Sequence, residues 1–426
     1  MFDEKKIVHL VNSDYTPIES AIKTRIQGQI CSGCGYNCKV MAIKRWKIKL
    51  HIVLFTFTRI VVNTNYRMVY PFLPVFARGL GIEPASLALA FSIRSFLSVF
   101  GPFLATIADT HDRRTGILMG AGLFTLGSGL VGLSPTFWGF IGGISLASLG
   151  NVVFIPSMNA YLGDQVSYEK RGRVMAITEM SWALAFIAGI PVVRWLLESY
   201  AWFSPFYIFT GLGLVFFVLY WFMLPARSIP KTDENTIWRN LGRVLKTWPA
   251  VAGLLVGVLA TGANETVNVI FGVWIENQFG INFAALTTAS IVIGISELGG
   301  EVATGLWLDA VGKRKMIWIF LGLNSLAALL LPLGGRSMTW ALAGLGFFFI
   351  SFEIILVGML TLMSEVVPAA RATMMAMTVA GFSLGRMLGD LISPSFYSIG
   401  FGAVCLATIV LNFLAASLLT QVKVGD

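Results

Sequence analysis

Ten ionisable side chains interrupt otherwise apolar runs of this chain: Arg59, Arg67, Arg94, Glu179, Glu265, Glu297, Glu301, Glu353, Arg386 and Asp390. An ion among apolar residues is costly unless it finds a counter-ion, water or a proton to exchange, so such positions read as functional by default. The chemistry on offer is guanidinium–carboxylate pairing that forms and separates, and carboxyls that take up and release protons. The first half of the chain holds three of these Arg and one Glu, the second one Arg and five acids. Opposite signs on two halves allow pairing in one conformation and separation in another. Arg67, Arg94, Glu179, Glu265, Glu297, Glu353 and Arg386 are therefore the candidate substrate and proton residues.

Sequence spacing refines these roles. Glu179, Glu265 and Glu353 have no local partner in sequence, which suits them to proton or substrate work. Arg386 and Asp390 stand four apart on one helix face and can pair with each other, and Glu297 and Glu301 share a face in the same way. Glu301, near a helix end, can instead join a loop cluster, and Arg59 can snorkel to the surface. Asn63, Asn65, Tyr66, Asn151, Asn159, Asn264 and Asn268 add polar lining. Trp182 and Trp274 could stack on a cationic or aromatic ligand. Asn and Trp at such places also serve as packing glue and interface anchors, a reading that stays open.

Other chemistry has little material. The three His lie in the amino-terminal tail or at the edges of apolar runs, no Ser/His/Asp set converges, and no GxxxxGK[ST] phosphate loop is present. Cys31, Cys34 and Cys38 form a C-x2-C-x3-C cluster, a weak metal candidate without a clear fourth ligand. No metal, cofactor or enzymatic reaction is expected.

The elements that must position the ten charges are apolar helices. Of 426 residues 56% are apolar and 12% charged, with a mean hydropathy of +0.76. Half the usual charge cannot clothe a soluble surface of this size. Twelve runs are long enough to cross a bilayer, at about 50–76, 85–108, 115–133, 137–162, 173–196, 203–224, 248–274, 284–308, 316–333, 338–363, 373–394 and 401–421. They do not alternate with period two, so strands are not expected. Of 31 Lys and Arg, 24 fall in the amino-terminal segment, the even-numbered loops and the carboxyl tail. That side is cytoplasmic by the positive-inside rule, and both termini face it. The net charge of +9 is thus a topology signal and not a nucleic-acid surface. Residues 1–49 read as a poorly ordered cytoplasmic extension without a signal peptide, and Met41 would make a normal start just before the first span.

The chain also repeats itself with an offset near 200. Ala105–Arg114 follows span 2 and Gly305–Arg314 follows span 8, so that Asp109 matches Asp309, and Arg113-Arg114 match Lys313-Arg314. Two six-span halves, 50–224 and 248–426, joined by a cytoplasmic linker 225–247, explain the repeat. These two loops resemble the signature loop of the major facilitator superfamily, Gly-x-x-x-Asp-Arg-x-Gly-Arg-Arg/Lys. The second copy keeps Gly305, Asp309, Gly312, Lys313 and Arg314; the first has Thr110 and Asp112 where the motif has Arg and Gly. The resemblance, covering about 45–422, implies an all-α membrane protein of twelve helices in two pseudo-symmetric bundles. It also implies a cytoplasmic gate made by Asp109, Arg113, Arg114, Asp309, Lys313 and Arg314, able to pair across the halves.

Within that superfamily the chain is similar in kind to twelve-span drug/proton antiporters, through the Pro-x-x-Pro element of Tyr70–Pro74. It departs from them in having Leu146 where an Arg precedes the Gly150 position, and Gly189-Ile190-Pro191 without a following Gly pair. The implied activity is alternating-access efflux of a small molecule in exchange for H+, by a monomer in the plasma (inner) membrane. Uptake or export of a sugar, metabolite or lysolipid by the same fold is the competing reading, and a non-transporting receptor a remoter one. One contact follows from the repeat. Laying Gly79–Ile82 on Gln278–Ile281 gives an offset of 199 and sets Arg67 opposite Thr266, beside Glu265. Arg67 and Glu265 are therefore expected to pair.

Overall fold

A computed structural model describes residues 34–101, 112–166, 168–225, 234–280 and 282–422. Asp109 and Cys31, and the side chains of Cys34 and Cys38, lie outside the described residues. The chain forms two compact units, residues 1–54 and 55–426, and all ten charges set among apolar residues belong to the second.

The described residues are helical, without strands. In the first half these are α1 (Cys34–Arg67), α2 (Leu73–Leu80), α3 (Pro84–Val99), α4 (Arg113–Leu133), α5 (Phe137–Gln165), α6 (Tyr168–Glu179), α7 (Ile190–Ser199) and α8 (Ser204–Met223). After α9 (Glu234–Lys246) come α10 (Trp248–Asn268), α11 (Phe271–Phe279), α12 (Phe283–Val311), α13 (Lys313–Leu330), α14 (Met338–Val366), α15 (Arg371–Ile399) and α16 (Phe401–Leu419). Among the described residues nine helices, with Lys170–Ser199 taken as one, are long and apolar enough to cross a membrane, or ten if α2 and α3, bent by 108°, are counted together. The charge-bearing α1 and α15 are less apolar and fall outside that set.

The repeat is visible in the backbone. α1 breaks at Arg67 and resumes as α2, which ends at Gly81 with φ +67°; α10 breaks at Asn268 and resumes as α11, which ends at Gly280 with φ +82°. Both glycines take a positive φ, which only Gly adopts cheaply, and they lie 199 residues apart, the offset read from sequence. The end of the molecule that carries these turns is called the hairpin end; the other, carrying Arg113 and Lys313, the basic end. Between α6 and α7 the helix is irregular, with a π-turn at Ala185–Gly189. Pro191 follows it, and its missing N–H accounts for the shifted hydrogen bonding.

Small residues let α4 and α5 meet backbone to backbone. A Cβ on Gly150 would stand 2.6 Å from both Gly120 O and Phe124 N, and one on Gly127 would stand 2.4 Å from Ala147 N. Backbone cannot retreat as a side chain can. Gly150→Leu is therefore expected to lose about 1–3 kcal/mol or more and to lower the thermal unfolding midpoint in detergent by several degrees. An unchanged midpoint would show that the helices do not pack this closely.

Candidate functional site

Seen from the hairpin end, the two halves of the chain meet through buried charge. Arg67, at the last turn of α1, is 3% exposed and forms a fork with Glu297 of α12, Nη1 and Nη2 each 2.6 Å from a carboxylate oxygen. Nη1 also donates to the Trp182 carbonyl at 3.0 Å, in the irregular stretch between α6 and α7. The guanidinium carbon lies 3.5 Å from the Phe186 ring centroid and 4.4 Å from that of Trp182. A bidentate pair enclosed by aromatic faces satisfies both ions out of water. The expected partner, Glu265, is not the one Arg67 meets. Equal depth fixes the height of a side chain and not its direction, and Glu265 turns toward α15.

Below this pair, toward the basic end, Arg59 forks onto Glu179 at 2.7 and 2.8 Å. Glu179 thus has a partner 120 residues away that local sequence could not reveal. Glu301, one turn beyond Glu297, is within electrostatic reach of Arg59, Arg67, Glu179 and Glu297. Glu353 of α14 is buried against Gly300, whose added Cβ would lie 2.7 Å from that of Glu353. Its neighbours in charge are Glu297, Glu301, Arg67 and Arg386. Three acids of the second half therefore share the region of one forked Arg from the first.

A second cluster lies nearer α3. Arg94, 1% exposed, donates to the Tyr66 carbonyl at 3.0 Å and the Tyr70 hydroxyl at 2.7 Å, with its guanidinium 4.0 Å over the Tyr66 ring. Ser95 donates to Asp390 of α15 at 2.8 Å, joining the halves again. Asp390 does not take Arg386 as its helix-mate partner: among the described residues no ion pair joins them, and Arg386 lies 6.0 Å from the Trp182 ring centroid. Sequence does not single out Tyr70 and Ser95 for this role, because a hydroxyl in an apolar run carries too weak a signal.

The hairpin end is drawn together by more than charge. Arg78 and Glu276 form a fork across the halves. Phe72 and Phe283 approach to 6.0 Å between ring centroids. Gly272 of α11 abuts the Tyr70 and Pro71 carbonyls, and Gly294 of α12 abuts Ala183 and Phe186. A shallow pocket of about 390 Å³ lies among Trp274, Gln278, Tyr397 and Phe401, where Trp274 stacks on Phe401 at 4.2 Å.

At the basic end the loop residues of the two halves make matching bonds within their own half. Arg113 pairs with Asp164 at 3.5 Å and Lys313 with Glu365. Arg114 donates to the Trp221 carbonyl at 2.6 Å and Arg314 to that of Thr420 at 2.7 Å. Asp109, the first-half acid of the expected pairing across halves, lies outside the described residues. Asp309 is exposed at the end of α12.

Comparison with known proteins agrees with this architecture. A family model described as the Major Facilitator Superfamily matches residues 55–389. The chain belongs to this superfamily. It is 25% identical to the MFS-type transporter YwfA of Bacillus subtilis (strain 168), over 82% of this chain and 86% of that protein. It is 22% identical to Multidrug resistance protein 2 of the same organism, over 76% and 82%. It is 27% identical to Multidrug resistance protein MdtG of Salmonella newport (strain SL254), over 66% and 72%. The fold resembles the crystal structure of a bacterial homologue of the human lysosomal transporter Spinster, in an inward-facing and unoccupied conformation. The TM-score is 0.65 at 14% identity, covering 88% of this chain and 95% of that one. This superfamily member is thus a multi-pass membrane transporter of small molecules and not an enzyme.

Proposed function

We propose that the chain is a proton-coupled exporter of lipophilic cations working by alternating access, as a monomer in the plasma (inner) membrane. Its twelve spans are α1 with α2, α3, α4, α5, α6 with α7, α8, α10 with α11, α12, α13, α14, α15 and α16. They form two bundles, 50–224 and 248–426, linked by 225–247, with residues 1–49 and both termini in the cytoplasm. The basic end is then cytoplasmic, and a closed hairpin end is the inward-facing form.

The observation that carries this reading is the buried Arg67–Glu297 fork between the halves. Opening the hairpin end must break it. Arg67 keeps the Trp182 carbonyl and the Phe186 and Trp182 rings, all in its own half. Glu297 is left with Glu301 and Glu353, with Arg386 of α15 near Glu353, and no guanidinium from α1. Such an acidic face calls for a proton or a cation in place of Arg67, and the aromatic groups around it suit a lipophilic cation. Competition between the two for one face is what exchange requires. When the basic end closes in its turn, Asp109, Asp309 and the basic residues beside them take partners from the opposite half. The names of the multidrug relatives point the same way.

The test is accumulation of tetraphenylphosphonium in inverted vesicles that contain the protein. Collapsing the proton gradient should abolish accumulation. Accumulation that continues after both proton and sodium gradients are dissipated would contradict the proposal.

A further inference from the structure

Two buried carboxyls that take no part in the Arg67 fork face each other between α10 and α15. Glu265 is 1% exposed and Asp390 fully buried. Gly389 brings the helices so close that a Cβ there would stand 2.5 Å from that of Glu265 and 2.9 Å from Gly262 O. The Glu265 side chain is thereby set beside the residue preceding Asp390, and the two carboxyls lie within hydrogen-bond reach. Each has one served oxygen: Asn268 donates to Glu265 Oε2 at 3.2 Å and Ser95 to Asp390 Oδ2 at 2.8 Å. Each also has one buried oxygen, Glu265 Oε1 and Asp390 Oδ1, with no donor among the described residues.

The charged and titratable neighbours are Arg94 of α3, Tyr66 of α1, Tyr70 just before α2, and Arg386 on α15 itself. Among the described residues neither guanidinium forms an ion pair with either carboxyl; Arg94 spends its bonds on Tyr66 and Tyr70. Two carboxylates this close and out of water cannot both be ionised, as in other acid dyads. One O–H between them supplies the donor that both orphaned oxygens lack.

We propose that Glu265 and Asp390 share one proton and form a proton-binding site whose hold depends on whether the hairpin end is closed. The proposal rests on the proton-coupled reading above and adds a second proton site beside the Glu297 face. Ser95 and Arg94 belong to the first half, and Ser95 donates a hydrogen bond to Asp390 while Arg94 sets a positive charge beside the dyad. Opening the hairpin end carries both away, so the dyad takes up a second proton from that side. Closing returns them, and the second proton leaves to water at the basic end while the shared one stays.

Infrared spectroscopy of the protein in lipid at neutral pH tests this directly, because a protonated carboxyl has its own C=O stretching band. The wild-type spectrum should contain a component lost in both Glu265→Gln and Asp390→Asn, and kept in Glu353→Gln. A carboxyl band that survives unchanged in both dyad variants, each monodisperse on size exclusion, would overturn the proposal. The vesicle assay keeps the two claims apart. If the band depends on both residues while accumulation ignores the proton gradient, the site stands and the coupling falls. If accumulation follows the gradient while the band survives both variants, the coupling stands and this site falls.

Discussion

Arg67→Glu and Glu297→Arg should each abolish transport, and the two together should restore part of it. Removing one partner of a buried pair leaves the other uncompensated, at about 3–5 kcal/mol. That is roughly two to four orders of magnitude in any conformational equilibrium the pair governs. Arg67→Glu is the harsher of the two, because it sets a fourth acid against Glu297, Glu301 and Glu353. Rescue by the exchange is partial for a reason visible in the geometry. A carboxylate at position 67 can neither donate to the Trp182 carbonyl nor sit over the Phe186 ring as a cation does. Initial rates in vesicles, normalised to inserted protein, measure the effect. A double variant as inactive as either single one, at equal abundance, would show that the pair does not act as a unit.

Gly272→Val should shift the transporter away from the closed hairpin end. An added Cβ would lie 2.6 Å from both the Tyr70 and Pro71 carbonyl oxygens, and these are backbone atoms across the boundary between the halves. The closed form must therefore bear an overpacking cost of about 1–3 kcal/mol, while a form with this end open bears none. A difference of that size changes the population ratio by about 5–150-fold. Ser290→Cys offers the readout. Ser290 is fully buried, one turn from the Gly294 that abuts Ala183 and Phe186. In the Gly272→Val background its labelling by an impermeant maleimide from the hairpin side should rise by about fivefold or more. Equal labelling in both backgrounds would mean that this contact does not close the hairpin end.

Much of this arrangement is legible in the sequence because it follows from one-dimensional physics. Length and apolarity locate the helical runs, and the repeat at an offset of 199 aligns Gly81 with Gly280, both of which take a positive φ. The charge signs of the halves foretell a pair across them, and Arg67 is one member of it. What sequence does not carry is azimuth. Arg67 and Glu265 share a depth, yet Glu265 faces Gly389 and α15, and Glu297, on another helix, meets the guanidinium. The same gap explains Arg386 and Asp390. Their spacing permits a pair, but the Ser95 hydroxyl holds one oxygen of Asp390 and Glu265 lies beside it. The loop residues show a third case, since the bonds of Arg113 and Lys313 to acids of their own half belong to one conformation. A sequence specifies both conformations at once and does not say which is present.

The central claim is that the Arg67–Glu297 fork holds the hairpin end closed. Glu83 of the first half and Leu333 of the second are both exposed at that end, and neither carries charge in the fork. Spin labels at Glu83→Cys and Leu333→Cys, in a background with the four native cysteines replaced, report the opening as a distance distribution by double electron–electron resonance. The fork predicts one dominant short distance in the parent and a second, longer population in Arg67→Gln and in Glu297→Gln. Distributions that coincide in the parent and both variants would contradict it.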